Sequence, residues 1–281
     1  MSAPIHILSL GAGVQSSTLA LMAAAGEVGP MPQAAVFADT GDEPALVYEW
    51  LEWLTPRLPF PVVRAKNETS LSEHIFAAIE SGGRVSNPPL FTRPEGAAEV
   101  EGILTRDCTR DFKVAVIQRA VRAVMREHDA KSVVQWIGIS LDEIVRMKPS
   151  RVAYSTHRWP LIELHMSRHD CLRWMEKNGF PRPPRSACVY CPHHANSEWR
   201  RMKDEHEAIL RDTPDAVGPT DWQRAVMFDA KIRTGIHKVR AKCFVHRDCV
   251  PLPEVDLSTD NERGQGVLAG FGNECEGMCG A

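Results

Sequence analysis

The first eighty residues alternate short apolar runs with helical patterns. Three runs have the length and continuous apolar character of buried strands, at residues 5–10, 34–38 and 61–65. A helical pattern follows each run, and the last pattern opens with the capping-box spacing Ser70–Glu73 and ends at Gly82. This alternation predicts an α/β fold, a doubly wound, mostly parallel sheet with helices on both faces.

The remaining chain is less regular. Residues 82–102 are polar and interrupted by prolines, so we predict a long loop and a candidate lid. A helix is predicted from Cys108 to His128, followed by a strand over 132–139. Further helical patterns precede an irregular C-terminal part, at residues 167–178, 197–211 and 220–233.

The first apolar run leads directly into a glycine turn. Gly11 and Gly13 precede Ser16-Ser17-Thr18, which opens a helical pattern. Backbone N–H groups at a helix start, the helix dipole and glycines that permit close approach suit a phosphate or pyrophosphate. No lysine precedes the hydroxyl pair, and Ser16 stands where a dinucleotide motif has its third glycine, so neither common phosphate motif applies. A tight turn with a serine cap is the alternative.

Two further polar turns follow predicted strands. Asp39-Thr40-Gly41 follows the second, and Gly138–Arg146 follows the strand over 132–139. Because the carboxyl ends of parallel strands meet at one edge of a sheet, we expect both turns at the edge where the glycine turn lies. Asp42 is the predicted N-cap of the second helix, with Pro44 in its first turn.

Charge is distributed unevenly along the chain. Residues 1–105 hold 5 Lys and Arg against 12 Asp and Glu, a net charge of −7, whereas residues 106–203 hold 19 against 10, a net charge of +9. A basic middle region suits a polyanionic substrate, a nucleotide or a nucleic acid, although a solvated helix face explains part of it. No run is long enough to span a membrane and no basic segment precedes the first apolar run, so we expect a cytoplasmic protein.

Eight cysteines occur in a chain expected in a reducing compartment, where close pairs indicate metal ligands or redox thiols more often than disulfides. Cys188-x-x-Cys191-Pro suits two ligands of one centre, and soft thiolates favour zinc or an iron–sulfur cluster. Cys171 lies in a helical pattern, where core packing is the simpler role. Cys275 and Cys279 lie among glycines, as a redox tail or as ligands.

Five segments, taken in order over residues 5–195, resemble the phosphoadenosine phosphosulfate (PAPS) reductase family of the adenine nucleotide α-hydrolase-like, PP-loop ATP pyrophosphatase superfamily. The matching segments are Ser9–Ser16 with its PP-loop, Ala38–Gly41 with its DTG motif, Arg106–Lys113, Gly138–Arg146, and Trp159–Ile162 followed by the Cys188–Cys191 pair. The chain departs from the family pattern where Gly11 replaces a serine, Ser140 replaces an arginine and Thr109 replaces a second adjacent cysteine.

This resemblance implies a nucleotide-binding domain over residues 1–195 and a helical extension with a cysteine tail over 196–281. ATP, or adenylyl sulfate, would contact Ser9, Gly11, Gly13, Gln15, Ser16, Ser17, Asp39, Thr40, Gly41 and Gly138. Lys113 and Arg146 would stabilise charge on the phosphates, and Asp142 or Glu143 would hold Mg²⁺ or orient a group.

The resemblance also implies that Cys108 joins Cys188 and Cys191 on a 4Fe-4S cluster rather than on zinc. The fourth ligand is left open between Cys275, Cys279 and Cys171. A set of three cysteines would instead leave one iron free to hold a sulfide.

Three functions follow from these expectations. The first is ATP-dependent sulfur transfer, in which a DNA or tRNA acceptor is adenylated and sulfur from a donor such as a cysteine desulfurase, carried on the cluster or on Cys275 or Cys279, displaces AMP. The second is a sulfonucleotide reductase, in which Cys275 attacks adenylyl sulfate and a thioredoxin-type partner releases sulfite. The third is a non-enzymatic nucleotide-binding module with structural zinc. A homodimer is a further expectation.

Overall fold

The computed structural model describes residues 3–96, 102–213 and 218–258, which form two compact units. The first unit comprises residues 3–68 and Thr109–Ala187, and the second comprises Thr69–Cys108 and residues 188–258. Each unit is therefore built from two separate segments. The division differs from the expected boundary near residue 195, because Thr69–Cys108 groups with the chain that follows Ala187.

The first unit contains a five-stranded parallel sheet with the strand order β3-β2-β1-β6-β7. Its strands are β1 (Ile5–Ser9), β2 (Ala34–Asp39), β3 (Val62–Lys66), β6 (Val133–Ile137) and β7 (Ser155–Arg158). The central strand β1 is almost entirely buried, as expected for a strand covered on both faces. The α/β fold is confirmed, and β7 is an additional strand that its short, polar sequence did not indicate.

Helices cover both faces of this sheet. The helices of this unit are α1 (Val14–Ala24), α2 (Ala45–Leu54), α5 (Ala115–Glu127), α6 (Pro160–Glu163) and α7 (Arg168–Lys177). One buried cluster joins Leu19 of α1, Leu51 of α2 and Met175 of α7. A second cluster joins Val121 of α5 to Val36 of β2. The two clusters pack the helices onto opposite faces of the sheet.

The helix predicted from Cys108 is divided into three parts. A single turn, α4 (Asp107–Thr109), leads into a five-residue π-helical stretch, Arg110–Val114, before α5 begins. The predicted N-cap of α2 is also corrected. Pro44 occupies the cap position, while Asp42 is buried and its backbone N–H donates to the Thr40 hydroxyl at 3.3 Å.

The second unit contains α3 (Leu71–Ser81), α8 (Asn196–Asp212) and α9 (Asp221–Ile232). The capping box at Ser70 and the left-handed Gly82 that ends α3 are confirmed. The predicted loop over 82–102 is wrong in part, because it contains the strand β4 (Phe91–Arg93), which pairs antiparallel with β5 (Gly102–Ile103) and β8 (Lys242–Phe244). Among the described helices, none has the length and apolar character needed to cross a bilayer.

Candidate nucleotide site and cysteine turn

A small cavity of about 10 Å³, room for about one water molecule, lies in the first unit at the carboxyl ends of β1 and β6. Because β2 and β6 flank β1 on opposite sides, this is the point where the strand order reverses, the usual ligand position of open α/β sheets. The cavity is lined by Ser9, Gly11, Ser16, Gly138, Ile139, Glu143 and Arg146. The structure therefore brings together the glycine turn and the Gly138–Arg146 segment.

The glycine turn is organised around Ser16. The Ser16 hydroxyl accepts a hydrogen bond from the Gly11 N–H at 3.1 Å and donates to the Gly13 carbonyl at 3.4 Å. Helix α1 begins immediately after Gly13, whose position provides no side-chain cap, and the first turn carries no acidic residue. The positive end of the α1 dipole therefore lies at the cavity wall, and no carboxylate in the first turn of α1 neutralises it. This arrangement favours the binding of an anion.

Gly138 allows β6 to end against this turn. A Cβ atom at Gly138 would lie 3.0 Å from both the backbone nitrogen and the Cα atom of Ser16. Neither backbone atom can rotate away, so the two loops would have to move apart by a few tenths of an ångström to admit a side chain, which favours glycine here. The preference arises from contact between two loops that are 122 residues apart in the chain.

Ser9 contributes an unsatisfied polar group to the cavity. Its side chain is 1% exposed, and its hydroxyl finds no hydrogen-bond partner within the residues that the structure describes. A buried hydroxyl that lacks a partner costs free energy of about 1–3 kcal/mol. A ligand oxygen in the cavity would provide the missing partner.

Gln15 connects the turn to two other segments rather than facing the cavity. Its amide nitrogen donates to Glu143 Oε2 at 2.9 Å and to the Ser140 hydroxyl at 3.3 Å, and its amide oxygen accepts from Arg168 at 3.0 Å. Arg168 was not identified from the sequence, because a position following the Ser167 cap indicates only a helix start. Gln15 is therefore placed as a positioning residue.

The acidic residues expected to hold Mg²⁺ are engaged by protein groups. Glu143 forms an ion pair with Arg146 in addition to its bond from Gln15, and Asp142 accepts from the Arg168 N–H at 2.9 Å. Burial raises the pKa of Glu143, although Arg146 opposes the shift. These two carboxylates therefore do not fit a magnesium ion in this arrangement.

The other residues expected to contact the nucleotide, in the segments that resemble the PP-loop and DTG motifs, have structural partners. The Ser17 hydroxyl is buried and accepts from the Trp50 indole N–H at 2.9 Å. Asp39 accepts from the Gly41 N–H at 2.8 Å and from the Tyr48 hydroxyl at 2.9 Å, and burial together with the Asp39 charge raises the pKa of Tyr48. These two residues, with Thr40 and Gly41, do not contribute to the wall of the cavity described above.

Lys113 lies beside a carboxylate that the sequence did not single out. Its Nζ atom is 3.6 Å from Glu43 Oε1, and the side chain of Glu43 is only 1% exposed. The Thr40 hydroxyl donates to the same carboxylate at 3.3 Å. Lys113 therefore compensates a buried charge next to the DTG turn, where a role toward phosphate was expected.

Cys188 and Cys191 form a tight turn in the second unit. The Cys191 N–H donates to the Cys188 carbonyl at 2.9 Å, and His194 Nε2 lies 2.8 Å from the same oxygen. Cys108, in the same unit, is anchored by a backbone bond of 3.1 Å to the Asn87 carbonyl. The backbone turn suits two ligands. Within residues 3–96, 102–213 and 218–258, however, no three Cys, His, Asp or Glu side chains are grouped to hold a metal ion.

The other cysteines considered as ligands differ in position. Cys171 is completely buried in the apolar cluster of the first unit with Met175, which matches the packing role expected for it. Cys275 and Cys279 lie outside the described residues, so their proposed catalytic and ligand roles stay predictions.

Comparisons with known proteins identify similar folds at low identity. No protein-family model matches the chain, and no curated protein matches it significantly. A crystal structure of phosphoadenylyl-sulfate (PAPS) reductase from Candida auris in complex with phosphate is 15% identical, with a TM-score of 0.39, and the match covers 65% of this chain and 76% of that one. The U34-tRNA thiolase NcsA from Methanococcus maripaludis with its [4Fe-4S] cluster is 11% identical, with a TM-score of 0.37, over 82% and 73% of the two chains.

Proposed function

We propose that this chain is a PAPS reductase-like enzyme of the PP-loop superfamily that binds ATP and adenylates an acceptor for sulfur transfer. The observation that carries the proposal is the cavity at the strand-order reversal. Its wall combines a helix start without an acidic first turn, a buried hydroxyl without a partner and the guanidinium of Arg146, which forms an ion pair with Glu143 of the same wall. These are groups that bind phosphate oxygens.

Each of these groups has a defined role in the proposed reaction. The turn from Gly11 to Ser16 holds phosphate oxygens through its backbone, and the Ser9 hydroxyl donates to one of them. An acceptor oxygen attacks the α-phosphorus, a new P–O bond forms, and pyrophosphate leaves. Arg146 stabilises the negative charge that develops on the phosphates, since an electrostatic contribution is greatest where water is excluded. Sulfur at the sulfide level from the donor then attacks the acceptor atom that carries the adenylated oxygen, a new bond to sulfur forms, the bond to that oxygen breaks, and AMP leaves.

The position of bond cleavage in ATP tests this proposal. The full-length chain is incubated with ATP, magnesium and total tRNA or genomic DNA, and the phosphate products are separated. Cleavage between the α- and β-phosphates, with AMP and pyrophosphate as products, is the expected result. Formation of ADP, or release of sulfite from adenylyl sulfate with a dithiol and no cleavage of ATP, contradicts it. The second result would identify a sulfonucleotide reductase.

Replacing Ser9 by alanine is expected to weaken ATP binding without destabilising the fold. The Ser9 hydroxyl has no hydrogen-bond partner within the described residues, so its removal costs the folded protein no hydrogen bond. A hydrogen bond from it to a charged phosphate contributes about 1.5–3 kcal/mol, or roughly 10- to 100-fold in affinity for ATP. Isothermal titration with ATP measures the affinity, and urea unfolding measures the stability.

Thr18→Val is the matched control for this variant. The Thr18 hydroxyl is also buried and without a partner in the described part of the chain, but Thr18 is not in the cavity wall. The control is expected to bind ATP as the wild type does. If Ser9→Ala bound ATP with the same affinity as the wild type, Ser9 would not contact the nucleotide.

We also propose that Cys108, Cys188 and Cys191 hold an iron–sulfur cluster, and that binding of the cluster brings the three thiolates together. The Cys188–Cys191 turn and the position of Cys108 in the same unit support this, although the described side chains are not yet grouped as ligands. Anaerobic preparations are expected to contain about four iron and four sulfide per chain. Cys188→Ala is expected to lose both, whereas Cys243→Ala, at another buried cysteine of this unit, retains them. One zinc per chain without sulfide would contradict the cluster.

A further inference from the structure

Three arginines form a row along the exposed face of α5 in the first unit. Arg119, Arg122 and Arg126 follow the three- and four-residue spacing that places side chains on one side of a helix. All three are exposed, and none of them forms an ion pair with any residue that the structure describes. We call these three residues the α5 arginine row.

Neutral groups hold two of the three guanidinium groups in place. Arg119 donates to the side-chain oxygen of Asn67 at 2.6 Å. Arg122 donates to the Tyr154 hydroxyl at 3.1 Å, and its guanidinium lies 5.3 Å from the centre of the Tyr154 ring. These contacts restrict the side chains but leave their charge uncompensated, so less conformational entropy is lost when an anion binds.

Other arginines of this unit show a different pattern. Five of them lie against a carboxylate, in the pairs Arg64–Glu52, Arg110–Asp111, Arg146–Glu143, Arg158–Glu163 and Arg173–Asp170. The α5 arginine row is a local cluster of positive charge in a unit where several other arginines face a carboxylate. Such a cluster on a solvent-facing helix attracts a polyanion.

The row begins at the sheet edge that carries the candidate nucleotide cavity. Asn67, the partner of Arg119, directly follows the carboxyl end of β3, and Lys113, preceding α5, contacts Glu43 after β2. From Arg119 to Arg126 the helix rises about 10 Å at 1.5 Å per residue. This length matches several consecutive phosphates of a nucleic-acid strand, which are spaced by about 3.4 Å along a duplex axis.

We propose that the α5 arginine row binds the phosphate backbone of a nucleic acid and leads the acceptor strand toward the carboxyl edge of the sheet. In this proposal the guanidinium groups contact phosphates rather than base edges. The row therefore determines the affinity for the nucleic acid and its orientation, and not the preference for a sequence. The identity of the nucleic acid as the sulfur acceptor rests on the proposed function, whereas its binding to the row does not.

The test is fluorescence anisotropy with two labelled probes, a 20-base-pair DNA duplex and an RNA stem–loop, over a range of salt concentrations. The triple variant Arg119→Gln, Arg122→Gln, Arg126→Gln is expected to bind the preferred probe at least tenfold more weakly at low salt. The slope of log affinity against log salt is expected to fall by about 2 to 3, since each lost phosphate contact removes roughly 0.7 for single strands or 0.9 for duplex DNA.

The matched control removes three charges from exposed positions elsewhere in the same unit, Arg57→Gln, Lys177→Gln and Arg182→Gln. It is expected to retain the wild-type slope. Equal slopes for the triple variant and the wild type overturn the proposal, as does a wild-type chain that binds neither probe. Both variants are expected to bind ATP normally. If the triple variant loses probe binding but retains ATP binding, the effect is specific to the α5 arginine row. If the wild-type chain binds the probe but does not cleave ATP, the proposed function fails while the proposal for the row stands.

Discussion

Replacing Gly138 by alanine is expected to weaken ATP binding strongly and to lower the free energy of unfolding by about 1–3 kcal/mol, the usual cost of overpacking a closed site. The added Cβ atom would lie 3.0 Å from the backbone nitrogen and the Cα atom of Ser16. Since both are backbone atoms, the loop after β6 and the glycine turn must separate. The cavity wall is made from these two segments, so its geometry changes with them. Titration calorimetry with ATP and urea unfolding measure the two effects.

Gly102→Ala provides the comparison for this variant. A Cβ atom at Gly102 would lie 3.7 Å from the Thr92 hydroxyl, an ordinary contact, and Gly102 belongs to the second unit. This variant is expected to bind ATP with wild-type affinity. If Gly138→Ala also bound ATP as tightly as the wild type, the contact between the two loops would not form part of the site.

Replacing Lys113 by methionine is expected to lower the free energy of unfolding by about 3 kcal/mol, because it removes a positive charge that lies beside a buried carboxylate. Lys113 lies 3.6 Å from Glu43, whose side chain is 1% exposed. Methionine retains most of the apolar stem of lysine. The decrease in the free energy of unfolding therefore measures mainly the loss of the charge and not a loss of packing. The shift of the urea midpoint at constant slope measures the change.

The double variant Lys113→Met, Glu43→Gln separates this effect from general damage. A neutral amide needs no charged partner, and it can still accept from the Thr40 hydroxyl as the carboxylate does. We expect the double variant to recover a large part of the lost stability. A single variant as stable as the wild type would show that the Glu43 carboxylate does not depend on Lys113.

Local signals in the sequence were sufficient for much of the fold. The buried strand β1, the glycine turn and the capping box at Ser70 each depend on residues within a few positions of one another, and each is present as predicted. The edge of the sheet at which Gly138–Arg146 lies also followed from the parallel order of the strands. Residues that line the cavity, such as Ser9 and Ser16, were therefore among those named in advance.

The contacts that were missed join distant parts of the chain. Strand β4 has only three residues, and its register partner for Phe91 is Phe244, so no local pattern marks it. Gln15 is fixed by Arg168, and Lys113 by Glu43, through pairings that exist only once the sheet has formed. Motif matching assigned Ser17 to the ligand, whereas packing of α1 against Trp50 determines its hydroxyl partner.

The most direct measurement is a crystal structure of the full-length chain with an ATP analogue that carries a methylene group between its α- and β-phosphorus atoms. We predict phosphate oxygens within hydrogen-bonding distance of the Gly11–Ser16 backbone and of the Ser9 hydroxyl, with Arg146 directed at the same phosphates. An analogue bound at any other place, or a cavity that stays empty at saturating analogue, would contradict the central claim that this cavity is a nucleotide site.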